Sequence, residues 1–288
     1  MLVCHRLYFA AGFMLFAMLW VGCAGTQSQP LYTPPSGQPA PAAPATPVSE
    51  VKPELGKYFQ GFTGAFVLYD LSGNRIIRYN PERCAARFLP ASTFKIVNSL
   101  IGLETGVIPD ESYVIKWGGT KYDVPAWNQD HTLKTAIRNS VVWYYQALAR
   151  RVGKEKMQHH VDVAGYGNQD ISGQIDTFWL EGGLRISAEE QVGFLKRLYE
   201  NDLPFSQRSM DVVKDILVLE KTGSSQLSGK TGSVQRVTPY VRWFVGYLEA
   251  GGKVYIFATN VGHGDGNKAQ EITRNILQGL GLLHIGDK

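Results

Sequence analysis

Two pairs of short apolar runs frame the folded part of this sequence, one near its start and one near its end. "AFVLYD" (Ala65–Asp70) and "RIIRY" (Arg75–Tyr79) are rich in aromatic and branched residues and flank Ser72-Gly73-Asn74. That pattern predicts two strands joined by a tight turn. "WFVGYLEA" and "KVYIFATNV" stand in the same relation to Gly251-Gly252, which predicts a second hairpin. Between the hairpins the sequence is mostly helical in pattern. Thr132 before "LKTAIRN" and the box Ser187-Ala-Glu-Glu190 both mark helix starts, the second helix running to about Glu200. A closing helical pattern spans Lys268 to Leu280, and no internal repeat interrupts this order. Strands from both chain ends therefore predict one antiparallel sheet flanked by helices, with an all-helical lobe inserted between. The expected fold class is α+β, with a cleft between lobes as the place for a ligand.

The first fifty residues follow a different pattern. His5 and Arg6 precede an uncharged run from Leu7 to Gly22, and Cys23 follows. The run falls short of the roughly 20 apolar residues that cross a bilayer, so residues 1–23 read as a signal peptide rather than a permanent anchor. Cys23 after Gly22 looks like a bacterial lipoprotein processing site, where the cysteine becomes lipidated. Plain secretory cleavage near Ala24 is the alternative, and both stay open. From Gln27 to Pro53 the sequence is rich in Pro, Ala, Ser and Thr and holds eight of the fourteen prolines. Such a stretch stays extended and buries nothing. Residues 24–55 are expected to be a spacer and residues 56–288 the folded domain, exported to the bacterial periplasm with or without a lipid tether at Cys23. Cys4 leaves with the signal and Cys23 is lipidated or lost, so Cys84 remains alone and no intramolecular disulfide is expected.

Composition narrows the partners. The chain has 288 residues, 44% hydrophobic and 19% charged, enough for one large domain or two compact lobes. Net charge is +4 from 29 basic and 25 acidic residues, without a basic block. Phosphate tracking needs clustered Lys and Arg, so nucleic acid is excluded as the main partner. His159 and His160 are adjacent and would point to different sides of a helix, with no matching Cys or Asp cluster. No metal site is expected. Monomer and homodimer are both compatible with the sequence.

The candidate chemistry begins in "FLPASTFKIVNSLIG", Phe88 to Gly102. Ser92 and Lys95 are three apart and share a helix face. If Ser92 opens the helix, unpaired N–H groups and the dipole favour negative charge near its oxygen. Phe94, Ile96 and Val97 would desolvate the lysine and push it toward a neutral amine, able to act as a base or to react with carbon dioxide. The plainer alternative is a capped helix with a snorkelling surface lysine. A second Ser-x-x-Lys, Ser49 to Lys52, lies in the spacer, where no pocket can desolvate its lysine. Further along come Ser140-Val141-Val142, Tyr166-Gly167-Asn168, Trp179-Leu180 and Lys230-Thr231-Gly232. Each alone is ordinary; their order and spacing are not.

Lys-Thr-Gly occurs twice, at Lys221 and at Lys230. The first ends the run "MDVVKDILVLE" and reads as a helix stop with Gly223 at the C-terminal cap. The second lies in "QLSGKTGSV", ahead of the closing hairpin, where a strand is expected. Gly229 and Gly232 would let a substrate lie close along that strand. Lys230 is therefore the site candidate.

"PASTFK", "WNQDHT", "NSVVW", "YGNQD", "FWLEGGLRIS" and "LSGKTGS" together resemble the class D serine β-lactamases, the oxacillinase type, over Tyr58 to Leu283. Class A relatives would show Ser-Asp-Asn at the second motif and class C relatives Tyr-Ala-Asn. The resemblance implies a serine β-lactamase or penicillin-binding-protein-like fold and hydrolysis of small-molecule β-lactams through an acyl-enzyme on Ser92. It implies that Lys95 is carbamylated to N6-carboxylysine by carbon dioxide or bicarbonate, with no other cofactor, and serves as base in both half-reactions. Trp179 would hold the carbamate through its indole N–H, and Val142 would limit the access of water to it. Ser140 would relay a proton to the leaving nitrogen. Lys230, Thr231 and Ser140 would hold the substrate carboxylate, and the N–H groups of Ser92 and Ser233 would form the oxyanion hole. One departure stands out: where many members carry a carboxylate-binding arginine, "GHGDGNKAQEITRN" has Lys268 and Ala269. Lys268 is the candidate substitute, as a point charge without a bidentate fork. A penicillin-binding transpeptidase or carboxypeptidase is the rival enzyme, expected to lack the Tyr166-Gly167-Asn168 and Trp179 combination. A β-lactam sensor that acylates but deacylates poorly is the rival outside catalysis.

Overall fold

The computed structural model describes residues 49–51, 53–234, 237–265 and 267–283. The expected signal peptide, Cys23, Lys52 and most of the expected spacer lie outside the described residues. In chain order come β1 (Ser49–Val51), α1 (Gly56–Phe59), β2 (Gly64–Asp70), β3 (Arg75–Tyr79) and α2 (Pro81–Ala85). A 3-10 turn, Ala91–Phe94, runs directly into α3 (Lys95–Glu104). Next are β4 (Val114–Ile115), β5 (His131–Thr132), α4 (Leu133–Arg138), α5 (Val142–Val152) and α6 (Lys154–Ala164). α7 (Ala188–Tyr199) and α8 (Gln207–Ile216) follow. The chain ends with β6 (Val218–Lys221), β7 (Ser225–Val234), β8 (Val241–Ala250), β9 (Lys253–Val261) and α9 (Lys268–Gly279).

Strands from the two chain ends meet in one sheet, ordered β1-β3-β2-β9-β8-β7-β6. Both predicted hairpins are present, and β2 joins the early pair to the late pair by running antiparallel to β9. The outermost strand departs from expectation. β1 falls inside the expected spacer, and it pairs parallel to β3, with Ser49 opposite Arg75. The free edge of β3 presents unpaired backbone groups, and an extended chain without hydrogen bonds of its own can satisfy them.

Alternation along the strands gives the sheet two buried faces. Ala65 and Val67 of β2, with Trp243 and Val245 of β8, join one core beneath the helices that come between β3 and β6. Phe66 and Leu68, with Phe244 and Leu248, join a second core closed by Phe59 of α1 and Ile272 and Ile276 of α9. Burial on both faces explains why these strands read as near-continuous apolar runs. Cys84 packs into the first core, its thiol donating to the Tyr79 carbonyl at 3.1 Å, and burial pushes its pKa up to about 12.

The helix starts are capped as predicted. Thr132 and Thr135 exchange side-chain and backbone bonds at the start of α4, as do Ser187 and Glu190 at the start of α7. The first Lys-Thr-Gly, however, does not end a helix. α8 stops at Ile216, and Val218–Lys221 is strand β6, with Lys221 opposite Gln226 of β7. The free edge of β7 recruits this segment, so pairing overrides the helical pattern. Gly223 sits in the hairpin turn, and Lys221 is exposed at the sheet edge.

Candidate active site

The 3-10 turn sets the first pair of groups. Its backbone is fixed from outside: the Ala91 N–H donates to the Trp179 carbonyl at 3.0 Å, and the Thr93 hydroxyl donates to the Pro90 carbonyl at 2.7 Å. Ala91 holds φ +49°, a left-handed conformation costly for a residue with a side chain. Ser92 therefore lies inside a tight turn and is not the cap of α3. Lys95, one turn on and 1% exposed, donates from Nζ to Ser92 Oγ at 2.6 Å. Below it, the Ser99 hydroxyl donates to the Lys95 carbonyl at 2.7 Å and lies 2.9 Å from the Tyr145 hydroxyl.

A second pair faces the first. Ser140 occupies the link between α4 and α5 at φ +53°, again left-handed without glycine. Its Oγ accepts from Lys230 Nζ on β7 at 3.0 Å, and Lys230 Nζ also donates to the Thr231 carbonyl at 2.9 Å. Close packing of β7 on the 3-10 turn unites the pairs. A Cβ on Gly232 would stand 3.0 Å from the Pro90 carbonyl oxygen and 3.1 Å from Thr93 Cγ2. A Cβ on Gly229 would stand 2.7 Å from the Val245 carbonyl oxygen. These glycines thus serve close contacts within the chain.

Trp179 reaches the same place on a long loop between α6 and α7. Tyr166-Gly167-Asn168 anchors that loop: Asn168 donates from Nδ2 to the Gly183 carbonyl at 2.9 Å and accepts the Arg185 N–H at Oδ1 at 2.8 Å. Gly167 has φ +57°, and a Cβ there would come within 2.1 Å of the Arg185 carbonyl oxygen. Phe94 stacks on Trp179 at a centroid distance of 5.4 Å, with Phe178 and Tyr166 against its edges. This aromatic wall encloses the residue next to Lys95. Trp179 is fully buried, and its indole N–H has no hydrogen-bond acceptor among the described residues. An unpaired buried donor is costly, which marks this one as meant for an acceptor that the fold itself does not supply.

Burial decides the charges. Loss of solvation, and then the nearby charge of Lys230, hold the Lys95 ammonium well below the ordinary lysine range. Burial alone pushes Lys230 down to about 7. Beside Lys230 and Thr231 a cavity of about 290 Å³ opens between α4, the end of α8 and the start of α9. The snorkelling alternative for Lys95 is thereby set aside. A neutral amine on a hydroxyl, opposite a second serine–lysine pair, can activate an oxygen nucleophile and protonate a leaving group.

All seven residues singled out from sequence (Ser92, Lys95, Ser140, Trp179, Lys230, Thr231 and Ser233) belong to this one region. Arg242 was missed: it stands opposite Ser233 in the β7–β8 register, and its Nη1 donates to Ser233 Oγ. The lone charge in the apolar stretch "VRWFVGY" was the available signal. Lys268, the candidate substitute cation, follows Asn267, which lines the cavity beside Thr231. Its Nζ pairs with Glu271 at 2.7 Å and lies over the Phe62 ring.

Known proteins are similar to this chain over most of its length. The penicillin binding protein transpeptidase domain matches residues 64–278. Beta-lactamase OXA-48 of Klebsiella pneumoniae is 44% identical over 218 residues, 75% of this chain and 82% of that protein. The crystal structure of the class D β-lactamase YbXI from Nostoc shares 46% identity and a TM-score of 0.78, covering 80% of this chain and 99% of that one. Regulatory protein BlaR1 of Bacillus licheniformis is 37% identical over 236 residues, which cover 39% of its length. Fold and site thus define a serine hydrolase built on the penicillin-binding transpeptidase domain. Within that family, the chain belongs to the class D β-lactamases.

Proposed function

We propose that the protein hydrolyses the β-lactam ring of penicillin-type antibiotics through an ester on Ser92, and so confers resistance. The observation that carries this reading is the 2.6 Å bond between Lys95 Nζ and Ser92 Oγ in a buried pocket. The Ser92 oxygen attacks the lactam carbonyl carbon and gives up its proton to the Lys95 side chain. N–H groups of Ser92 and Ser233 stabilise the oxyanion. As the ring C–N bond breaks, Ser140 protonates the nitrogen and regains a proton from Lys230. The proton on the Lys95 side chain returns through Ser140 to Lys230, leaving Lys95 able to take a proton from the attacking water; as the Ser92 ester C–O bond breaks, that proton passes to Ser92 Oγ and the ring-opened acid leaves. Lys230 and Thr231 hold the substrate carboxylate during both steps.

Lys95 is fitted for carbamylation. Its depressed basicity favours a neutral amine, and the unpaired Trp179 N–H is a donor for the extra oxygens. A carbamate on Nζ, formed from carbon dioxide with release of one proton, would supply a carboxylate general base. Half-buried Val142 at the start of α5 limits water around it. The same reading puts the protein in the bacterial periplasm, exported through the Leu7–Gly22 run, with either a lipid tether at Cys23 or plain cleavage near Ala24.

The likeness to BlaR1 favours a second reading, a sensor that acylates without turnover. Nitrocefin hydrolysis by the purified protein separates the two. Turnover far beyond one equivalent, faster with added bicarbonate, is the expected result. A burst of one equivalent and no more would leave the sensor.

A further inference from the structure

α4 ends in a geometry that ordinarily asks for glycine. The Ser140 N–H donates to the Ile137 carbonyl at 3.2 Å, and the Val141 N–H to the Ala136 carbonyl at 2.9 Å. That pair of bonds is the Schellman arrangement, in which the residue just past the helix cap is left-handed and most often glycine. Ser140 fills that place at φ +53°. A side chain there is strained, and strain persists only where the surroundings over-determine it. The hydroxyl needs the place all the same, because from it Ser140 Oγ meets Lys230 Nζ at 3.0 Å.

The N–H groups of Asn139, Ser140 and Val141 all turn back onto α4, the first of them to the Thr135 carbonyl at 3.0 Å. The Asn139 carbonyl belongs to the peptide whose plane sets φ of Ser140, and its partner comes from outside the helix. Trp127 donates to it from Nε1 at 2.9 Å. Trp127 is itself fixed at several points. It ends the 3-10 turn Pro125–Trp127, its carbonyl accepts from Trp143 Nε1 at 2.8 Å, and Tyr122 meets its ring edge-on at a centroid distance of 5.7 Å. The neighbouring Ala126 carbonyl lies 2.8 Å from Nε2 of buried His131, whose Nδ1 lies 3.0 Å from the Thr135 hydroxyl. The indole is thus mounted on the same helix whose end it holds.

We propose that Trp127 is a positioning residue for Ser140: its indole N–H, by holding the Asn139 carbonyl, keeps Ser140 left-handed and its hydroxyl on Lys230. The role rests on the hydrolase reading above, in which Ser140 passes a proton to the leaving nitrogen. Trp127 itself moves no proton and makes no bond to the reacting atoms. Without the indole N–H the Asn139 peptide is free to rotate, Ser140 relaxes toward negative φ, and its Oγ leaves Lys230. The step that suffers is breakage of the ring C–N bond, where the departing nitrogen takes its proton. Substrate binding does not.

The test measures the acylation rate constant and the dissociation constant by stopped flow for wild type, Trp127→Phe, Ser140→Ala and the double variant. Phenylalanine keeps an aromatic ring in the loop and removes the N–H. Two substrates are compared. Benzylpenicillin expels an amine nitrogen that must be protonated, whereas nitrocefin spreads the nitrogen's electron pair into a conjugated nitroaryl group and leaves with less help. Trp127→Phe is expected to slow acylation by benzylpenicillin roughly 3- to 10-fold, the range set by one lost hydrogen bond, with an unchanged dissociation constant and little loss on nitrocefin. Ser140→Ala should show the same selectivity more strongly, and Trp127→Phe should add nothing further in its background. Additive losses in the double variant would overturn the proposal. A weakened dissociation constant at full acylation rate would also overturn it, by making Trp127 a substrate contact. So would equal slowing on both substrates, since a merely structural tryptophan damages both alike. No turnover of either substrate by wild type would instead remove the hydrolase reading, and the relay through Ser140 with it.

Discussion

Lys95 Nζ donates to Ser92 Oγ across a single helical turn, at 2.6 Å and almost wholly out of water. An ammonium in that place would lose its hydration with no anion beside it, and the nearby Lys230 adds repulsion. The amine is therefore driven toward its neutral form, and a neutral amine on a hydroxyl is a base on a nucleophile.

Ser92→Ala should abolish turnover and leave the fold intact. Ser92 provides no helix cap, since its hydroxyl bonds Lys95. Its loss removes one hydrogen bond, about 1 kcal/mol or less in stability. Intact-mass and peptide mapping after a slow β-lactam should find the adduct on the Ser92 peptide of wild type and nowhere in the variant. An adduct elsewhere would overturn the assignment.

The two Lys-Thr-Gly motifs should separate cleanly. Lys230→Ala removes the partner of Ser140 and should lower kcat/KM strongly, whereas Lys221→Ala on the exposed hairpin should behave as wild type. Lys230 also carries a pH signature. Its folded value of about 7 lies below the ordinary lysine value of 10.5, so over that interval the unfolded chain binds a proton that the folded chain does not. Stability should rise with pH across that window, by a few kcal/mol in total at roughly 1.4 kcal/mol per pH unit. Lys230→Met should flatten the rise in denaturant titrations between pH 7 and 10. Equal slopes for the two proteins would remove Lys230 from this role.

Much of this was legible in the sequence because the motifs are local. Ser92 and Lys95 share one turn, Gly167 is required by its own φ, and the hairpins announce themselves by alternation around glycine. What was misread depends on distant partners. Lys221 was assigned to a helix end because "MDVVKDILVLE" has helical spacing, yet the edge of β7 takes its last residues as a strand. Gly232 could be seen as a close approach, but its neighbour, the Pro90 carbonyl, is fixed only by tertiary packing. The strain at Ala91 and Ser140 left no sign, since neither is glycine. Arg242 escaped because its meaning lies in the residue across the ladder.

Asn168 should matter through Trp179. Asn168→Ala removes both bonds that tie the loop to Gly183 and Arg185, costing about 1–3 kcal/mol. The loop backbone also holds the 3-10 turn, through the Trp179 carbonyl on the Ala91 N–H. The variant should unfold at lower temperature and need more bicarbonate for half-maximal rate. A lowered melting point with an unchanged bicarbonate requirement would show that Asn168 supports the fold alone.

Trp179→Ala tests the base itself. The indole N–H is buried and has no acceptor among the described residues, and under the proposed mechanism its acceptor is the carbamate on Lys95. Without that donor a buried carbamate loses its hydrogen bond and should release carbon dioxide more readily. The variant should be slow in carbon-dioxide-depleted buffer and partly rescued by excess bicarbonate, and chloride should inhibit where it takes the vacated anion site. The sign of the pH effect follows from the direction of the Lys95 shift. Its value is lowered, so the amine is neutral above that value and protonated below it. A protonated amine can neither bind carbon dioxide nor accept the Ser92 proton, and the rate must therefore fall as pH is lowered. In Trp179→Ala the acid limb should move to higher pH, because the less stable carbamate competes less well with protonation. The measurement is initial rate against bicarbonate at several pH values, with carbon-13 bicarbonate NMR to count the carbamate. Full turnover by wild type with an unmodified Lys95 amine would sink the carbamate, while leaving Ser92 as nucleophile.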